Sequence, residues 1–189
     1  MKRVIVFLAD GFEEIEALSP VDYLRRAGAE VLILSLNASS RNVCGAHKIN
    51  VQADMLLDSY VSSSSELPDA VIIPGGMPGA TNIASCKQAL ALINEMTENK
   101  KLVASICASP AVVLSKTNAL KGKKWTCYPG MQNEAQEFLS GYTKNRVEVD
   151  GTLITACGPG AAEKFSMEVV RSLFDDATAK RISEAACHA

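Results

Sequence analysis

Six cysteines, at positions 44, 86, 107, 127, 157 and 187, are the strongest potential nucleophiles in this chain of 189 residues. No two form a CxxC pair, so the close thiol spacing that structural zinc sites and thioredoxin-like motifs require is missing, and no metal is expected. Five of the six read as small buried hydrophobes. Cys107 is different. It lies in Val103-Ala-Ser-Ile-Cys-Ala-Ser-Pro110, where an apolar strand runs into small residues and a proline-started helix. That order describes a nucleophile elbow, a sharp strand-to-helix turn that lifts the side chain above the sheet. Unpaired amides and the positive end of a helix dipole favour a thiolate there, so the expected pKa lies below the reference of about 8.5.

A thiolate nucleophile needs a proton partner. The chain has two histidines. His188 is the penultimate residue, and His47 falls in a stretch read as a hairpin away from the strand ends, so neither is expected to form a Cys–His dyad. Carboxylates are better candidates: Glu13, Glu14 and Glu16 open the first helix, just beyond the first strand. Glu16 is the best placed, with Glu13 and Glu14 read as favouring the helix N-terminus. Spacing alone does not choose among the three. A buried carboxylic acid beside sulfur would have a raised pKa, could donate a hydrogen bond to the sulfur and could then carry protons. Gly75-Gly76 supports two readings: a tight turn after a strand, or backbone N–H groups that stabilise an oxyanion.

An alternating pattern has to position these residues. Apolar runs at 3–9, 30–36, 70–74 and 102–106 read as strands, and helices are expected at 13–27, 86–99, from 110 and after 160. Pro20 predicts a kink or break near Ser19. Segments 43–46 and 48–53 predict a short hairpin, and 124–128, 146–149 and 153–157 further short strands. The expected fold class is α/β, with a mostly parallel central sheet covered on both sides and a single domain over 1–189. Sites in such sheets lie outside the carboxyl ends of the strands. That rule singles out loops 10–16, 75–79, 107–110 and 158–160.

Composition excludes several classes. Net charge is −2, and the short Lys100-Lys101 and Lys121-Gly-Lys-Lys124 runs are no basic stripe, so no nucleic-acid partner is expected. The N-terminal apolar run 4–9 is far shorter than the about 18 residues that span a bilayer, and Asp10 ends it before a signal-peptide core could form. No membrane partner and a cytoplasmic location follow as expectations, with reduced cysteines. Asp10-Gly11-Phe12 is not GxGxxG, and no GxxxxGK(S/T) occurs, which leaves nucleotide binding without support.

Taken together, Ala9-Asp-Gly-Phe-Glu-Glu-Ile-Glu16, Ile73-Pro-Gly-Gly76, Ala104-Ser-Ile-Cys-Ala-Ser-Pro110 and Gly158-Pro-Gly160 resemble the ThiJ/PfpI superfamily, in its parkinsonism-associated deglycase branch. The resemblance runs in order over essentially the whole chain. It implies a flavodoxin-like three-layer sandwich, a homodimer, and a cofactor-free glyoxalase or protein deglycase acting on methylglyoxal-type aldehydes or glycated proteins. By motif position it implies that Cys107 is the oxidisable nucleophile and Glu16 the glutamate hydrogen-bonded to it. Gly75, Gly76 and Ala108 correspond to backbone donors, Tyr128 and Pro159 to pocket positions, and Arg26 to a residue that reaches the partner's site. The chain departs from the pattern at Tyr128, where some members carry histidine, and at Met77, where some carry an amide. It also lacks the added histidine of the protease-like branch, which disfavours peptide hydrolysis. Two functions are therefore expected to compete: the enzyme, and a redox-responsive dimer with a chaperone-like or regulatory binding role.

Overall fold

The computed structural model describes residues 1–64 and 66–187; the expectation for His188 lies outside them. β1 (Arg3–Leu8) pairs in parallel with β2 (Glu30–Ser35) on one side and β6 (Ala70–Ile73) on the other. The short β5 (Met55–Leu56) extends the sheet beyond β2, while β7 (Leu102–Ile106), β9 (Leu153–Ala156) and β8 (Val147–Asp150) extend it beyond β6. The order is β5-β2-β1-β6-β7-β9-β8, and β8 alone runs antiparallel. β3 (Asn42–Cys44) and β4 (Asn50–Gln52) form a separate antiparallel hairpin, as the sequence suggested.

Period-two alternation in the strands feeds two cores. Val4, Val6 and Leu8 face one layer, built by α1 (Glu14–Arg26), α6 (Ala162–Leu173) and α7 (Asp176–Ala185). Ile5 and Phe7 face the other, built by α2 (Leu57–Ser63), α3 (Gly79–Ser85), α4 (Lys87–Glu98) and α5 (Ser109–Val112). This is the flavodoxin-like three-layer arrangement. No helix among the described residues is long and apolar enough to cross a membrane.

Three local expectations are corrected. Helix α1 continues through Pro20 without a break, because the ring removes only the bond to the Glu16 carbonyl while Ala17, Val21 and Leu24 hold the helix to the core. Segment 124–128 is no strand. Trp125 makes one isolated bridge with Tyr142, and the next amide, of Thr126, goes to the Thr155 hydroxyl at 2.9 Å. Helices α2 and α3 occupy stretches where no element was expected; α3 is built from small and polar residues that give no apolar periodicity.

The chain winds from β1 outward to β2 and β5, then returns to β6 and proceeds the other way. The reversal opens a crevice at the carboxyl ends of β1, β6 and β7, where such sheets place their ligands. Loop 9–13, the Gly75-Gly76 turn and Cys107 all meet there.

Candidate active site

Cys107 directly follows β7 and holds φ at +66°, a left-handed conformation that costs a non-glycine residue energy. Both of its backbone polar groups are bonded: its N–H donates to the Ala156 carbonyl at 2.9 Å, and its carbonyl accepts from the Tyr128 N–H at 2.7 Å. These bonds from two neighbouring segments fix the elbow. The helix that follows, α5, has four residues. A dipole of that length is small.

Glu16, one turn into α1, is fully buried. Its Oε2 accepts from the Gly75 N–H at 2.9 Å. Its Oε1 has no nitrogen or oxygen partner; the remaining interaction of the carboxyl is with the Cys107 thiol. Gly75 permits this approach. A Cβ on it would lie 2.6 Å from the Cys107 Cβ and 2.7 Å from Glu16 Oε2. The Gly75 amide, expected to be free for an oxyanion, is thus committed to Glu16. The amides directed at sulfur are those of Gly76 and Ala108.

The electrostatics correct the expected sign at Cys107. Burial, then the Glu16 charge and the hydrogen bond with Glu16, push the thiol up to about 12, against the downward pull of the Gly76 and Ala108 amides. Burial also pushes Glu16 up to about 7, opposed by its bonds to Cys107 and Gly75 and assisted by the charge of Glu13. Each ionisation opposes the other, so the pair gives up its first proton far more readily than its second. A thiolate beside a protonated Glu16 carries the same net charge as a thiol beside a carboxylate. Moving one proton between them makes the nucleophile without adding a buried charge.

Cys107 and Glu16 lie in the wall of a cavity of about 540 Å³, with Gly76, Tyr128 and Pro159 also lining it. Ala108 adjoins it through its amide. Arg26 does not line it within one chain; its guanidinium bonds Asp22 at 2.6 Å on the exposed far end of α1. A groove of about 580 Å³ between α6 and α7 is slightly larger, but no cysteine among the described residues lines it and its charged residues, among them Lys164, Arg171, Glu163 and Asp176, lie away from the strand ends.

His47 was expected away from the site and instead lines the same cavity. Hairpin β3–β4 docks on the loop after β1 through Gly11 N–H to the Cys44 carbonyl (2.7 Å) and Ala46 N–H to the Phe12 carbonyl (2.8 Å). Glu14, read as a helix-start charge, is buried. Its Oε1 accepts from the His47 N–H at 2.8 Å and its Oε2 contacts His47 Nδ1 at 2.9 Å. Burial opposes the Glu14 charge, yet these bonds hold its pKa below the ordinary value. In return Glu14, with Glu13 at 3.4 Å, raises that of His47. Glu13, Glu14 and His47 offer the one group of possible metal-ligand atoms among the described residues, all within 4.8 Å. The bonds to His47 already occupy Glu14.

The fold and the site together define an α/β domain with an elbow cysteine beside a buried glutamate. The chain belongs to the DJ-1/PfpI family, whose model matches residues 2–172. It is 35% identical to protein DJ-1 homolog B of Arabidopsis thaliana over 97% of this chain, and spans 40% of that protein's length. It is 28% identical to a deglycase of Pyrococcus abyssi, over 90% of this chain and 99% of the other. The structure of oxidized Toxoplasma gondii DJ-1 superposes with a TM-score of 0.93 at 34% identity, covering 100% of both chains.

Proposed function

We propose that this protein is a cofactor-independent glyoxalase or protein deglycase acting on 2-oxoaldehydes of the methylglyoxal type, free or as protein adducts. The observation that carries the reading is the pairing of the half-buried Cys107 with the fully buried Glu16, hydrogen-bonded to each other, with Glu16 raised to about 7. Sulfur adds to the aldehyde carbon (C1) while the thiol proton passes through Glu16 to the aldehyde oxygen, giving a hemithioacetal. The Gly76 and Ala108 amides stabilise the oxyanion in passing. Glu16, ionised again, takes the C1 hydrogen and returns it to the adjacent carbon, C2. C1 is oxidised and C2 reduced, so the electrons balance within the substrate. Water then cleaves the thioester to a 2-hydroxy acid and the free thiol. The deglycase name of the Pyrococcus abyssi relative supports the same class.

Turnover of methylglyoxal without added cofactor tests this. Cys107→Ser should reduce it to background and Glu16→Ala by at least about 100-fold, the scale of general acid–base catalysis. Undiminished turnover in Cys107→Ser would remove the mechanism. The reading includes a cytoplasmic homodimer in which Arg26 reaches the other protomer's site. Ile15 and Ile49, each 54% exposed at the cavity edge, give a second copy an apolar surface to cover.

A redox-responsive binding role is the second reading, favoured by the unpartnered Oε1 of Glu16. A protonated carboxyl with a free oxygen can donate to the oxygens of a sulfinate on the neighbouring sulfur. Mild peroxide should add two oxygens selectively at Cys107, seen by mass spectrometry, and lose that selectivity in Glu16→Ala. Uniform oxidation of all the cysteines would count against it.

A further inference from the structure

The elbow supplies a nucleophile, and Glu16 supplies one proton carrier. A 2-oxoaldehyde has two oxygens, however, and the second, on C2, must gain a proton as the enediol forms. Among the residues that line the cavity, Glu13, Glu14 and Glu16 are carboxylates, Cys107 is the nucleophile, and Ile15, Ile49, Gly76 and Pro159 carry no proton to give. His47 and Tyr128 remain.

We propose that His47, oriented by Glu14, is the acid–base group that serves the C2 oxygen of the substrate. This rests on reading the cavity as an aldehyde-processing site. As Glu16 takes the C1 hydrogen, the His47 imidazolium protonates the C2 oxygen to give the enediol. Glu16 then returns its proton to C2, and His47 recovers one from the C1 hydroxyl as the thioester carbonyl forms. Both groups end the cycle as they began it.

Three observations carry the assignment. A carboxylate accepts hydrogen bonds and cannot donate them, so His47 Nδ1 must carry the hydrogen in its 2.9 Å contact with Glu14 Oε2. That leaves Nε2 as the ring nitrogen for a ligand, the arrangement by which a carboxylate orients a working histidine. Next, Glu14 is only 5% exposed, which a simple helix-start charge has no reason to be. The loop is already tethered by Oε1 through the His47 and Ile49 amides, at 2.8 and 3.4 Å, and the ring bond through Oε2 is additional to that tether. Finally, the His47 side chain is 68% exposed within one chain, so the ring is not packed into the core and is open to the cavity it lines.

The charged and titratable groups around it are Glu13 just before α1, Glu14 and Glu16 from α1, Cys107 from the elbow, Tyr128 from the facing loop, and Lys48 beside it in sequence. The two nearest carboxylates favour the imidazolium and so raise the pKa of His47. The rate should therefore rise with pH as Glu16 ionises and fall again as His47 loses its proton.

The test is kcat/KM for methylglyoxal from about pH 5 to about pH 9 for wild type, His47→Gln, Glu14→Gln and Tyr128→Phe. Alkylation of Cys107 by iodoacetamide serves as an independent check on the elbow. His47→Gln should lose about 100-fold and the alkaline limb of the profile, with Cys107 alkylated at an unchanged rate. Glu14→Gln should move that limb to lower pH, toward an ordinary imidazole, and this variant decides the matter if His47→Gln does not fold. Tyr128→Phe should keep the limb at whatever rate it retains. An alkaline limb unchanged in His47→Gln and Glu14→Gln, or lost in Tyr128→Phe instead, overturns the role of His47 while leaving the aldehyde chemistry standing. A wild type without turnover overturns both.

Discussion

Replacing Glu16 by Gln should make the fold more resistant to urea above neutral pH and inactive at the same time. In the folded chain Glu16 keeps its proton up to about pH 7, because burial penalises the charge, whereas the ordinary value is 4.5. Between those values the native state binds more protons than the unfolded state, so stability falls as pH rises. The contribution is fully present below the unfolded value and is lost as pH passes through the folded one. The gap corresponds to roughly 3 kcal/mol. A glutamine keeps an oxygen for the Gly75 N–H and cannot ionise. The unfolding free energy of wild type from urea titrations should therefore drop between about pH 5 and about pH 8, while that of Glu16→Gln changes by roughly 2–3 kcal/mol less. Parallel slopes would mean that Glu16 does not hold its proton in the fold. The slope is the decisive quantity, since the amide group of glutamine brings its own unpaired donor and shifts both ends of the comparison alike. Selection for a proton carrier at this position would thus keep a residue that costs stability.

The parts of the site read from sequence are those set by local order. An apolar run ending in Ile-Cys-Ala-Ser-Pro places a nucleophile at a strand end, and β7 and the elbow follow from that alone. The alternation of strands and helices gave the parallel sheet and the loops that carry the site. The misreadings all involve partners distant in sequence. Cys107 was expected to have a depressed pKa because its neighbours open a helix. Its titration is governed instead by burial and by Glu16, which is 91 residues away in the chain (107 − 16). Gly75 was read from its turn, but its amide belongs to Glu16, 59 residues earlier. His47 was dismissed because a hairpin off the sheet has no fixed place until it docks. Its docking depends on bonds from residues 44 and 46 to the loop after β1, and on Glu14, 33 residues away. The scarcity of histidine and an acid-rich helix start were the available signals, and neither carries direction. Glu14 and Glu16 illustrate why: at about 100° per residue they point to nearly opposite sides of α1, yet the hairpin and the elbow each bring a partner to one of them.

Gly75→Ala should disable the site through a single methyl group. The conflict is steric: the added Cβ would lie 2.6 Å from the Cys107 Cβ, 2.7 Å from Glu16 Oε2 and 3.1 Å from the sulfur. None of these neighbours yields easily. The Cys107 backbone is bonded on both sides, to Ala156 and to the amide of Tyr128, so its Cβ cannot swing away without breaking the elbow. Glu16 Oε2 is bonded to the N–H of residue 75 itself. The remaining movement is to part the end of β6 from the end of β7, which separates the carboxyl from the sulfur. A displacement of about 1 Å between reacting groups costs on the order of 100-fold in rate, and overpacking of this kind costs about 1–3 kcal/mol in stability. The variant should therefore unfold at lower urea than wild type and lose about 100-fold in kcat/KM toward methylglyoxal. Its Cys107 should also be alkylated at a changed rate, because the proton shared with Glu16 no longer has a path. Wild-type kinetics with lowered stability would separate the two effects and show that close contact between Cys107 and Glu16 is a feature of packing rather than of chemistry. Lowered kinetics in a fold of undiminished stability would place the whole cost on the geometry of the pair.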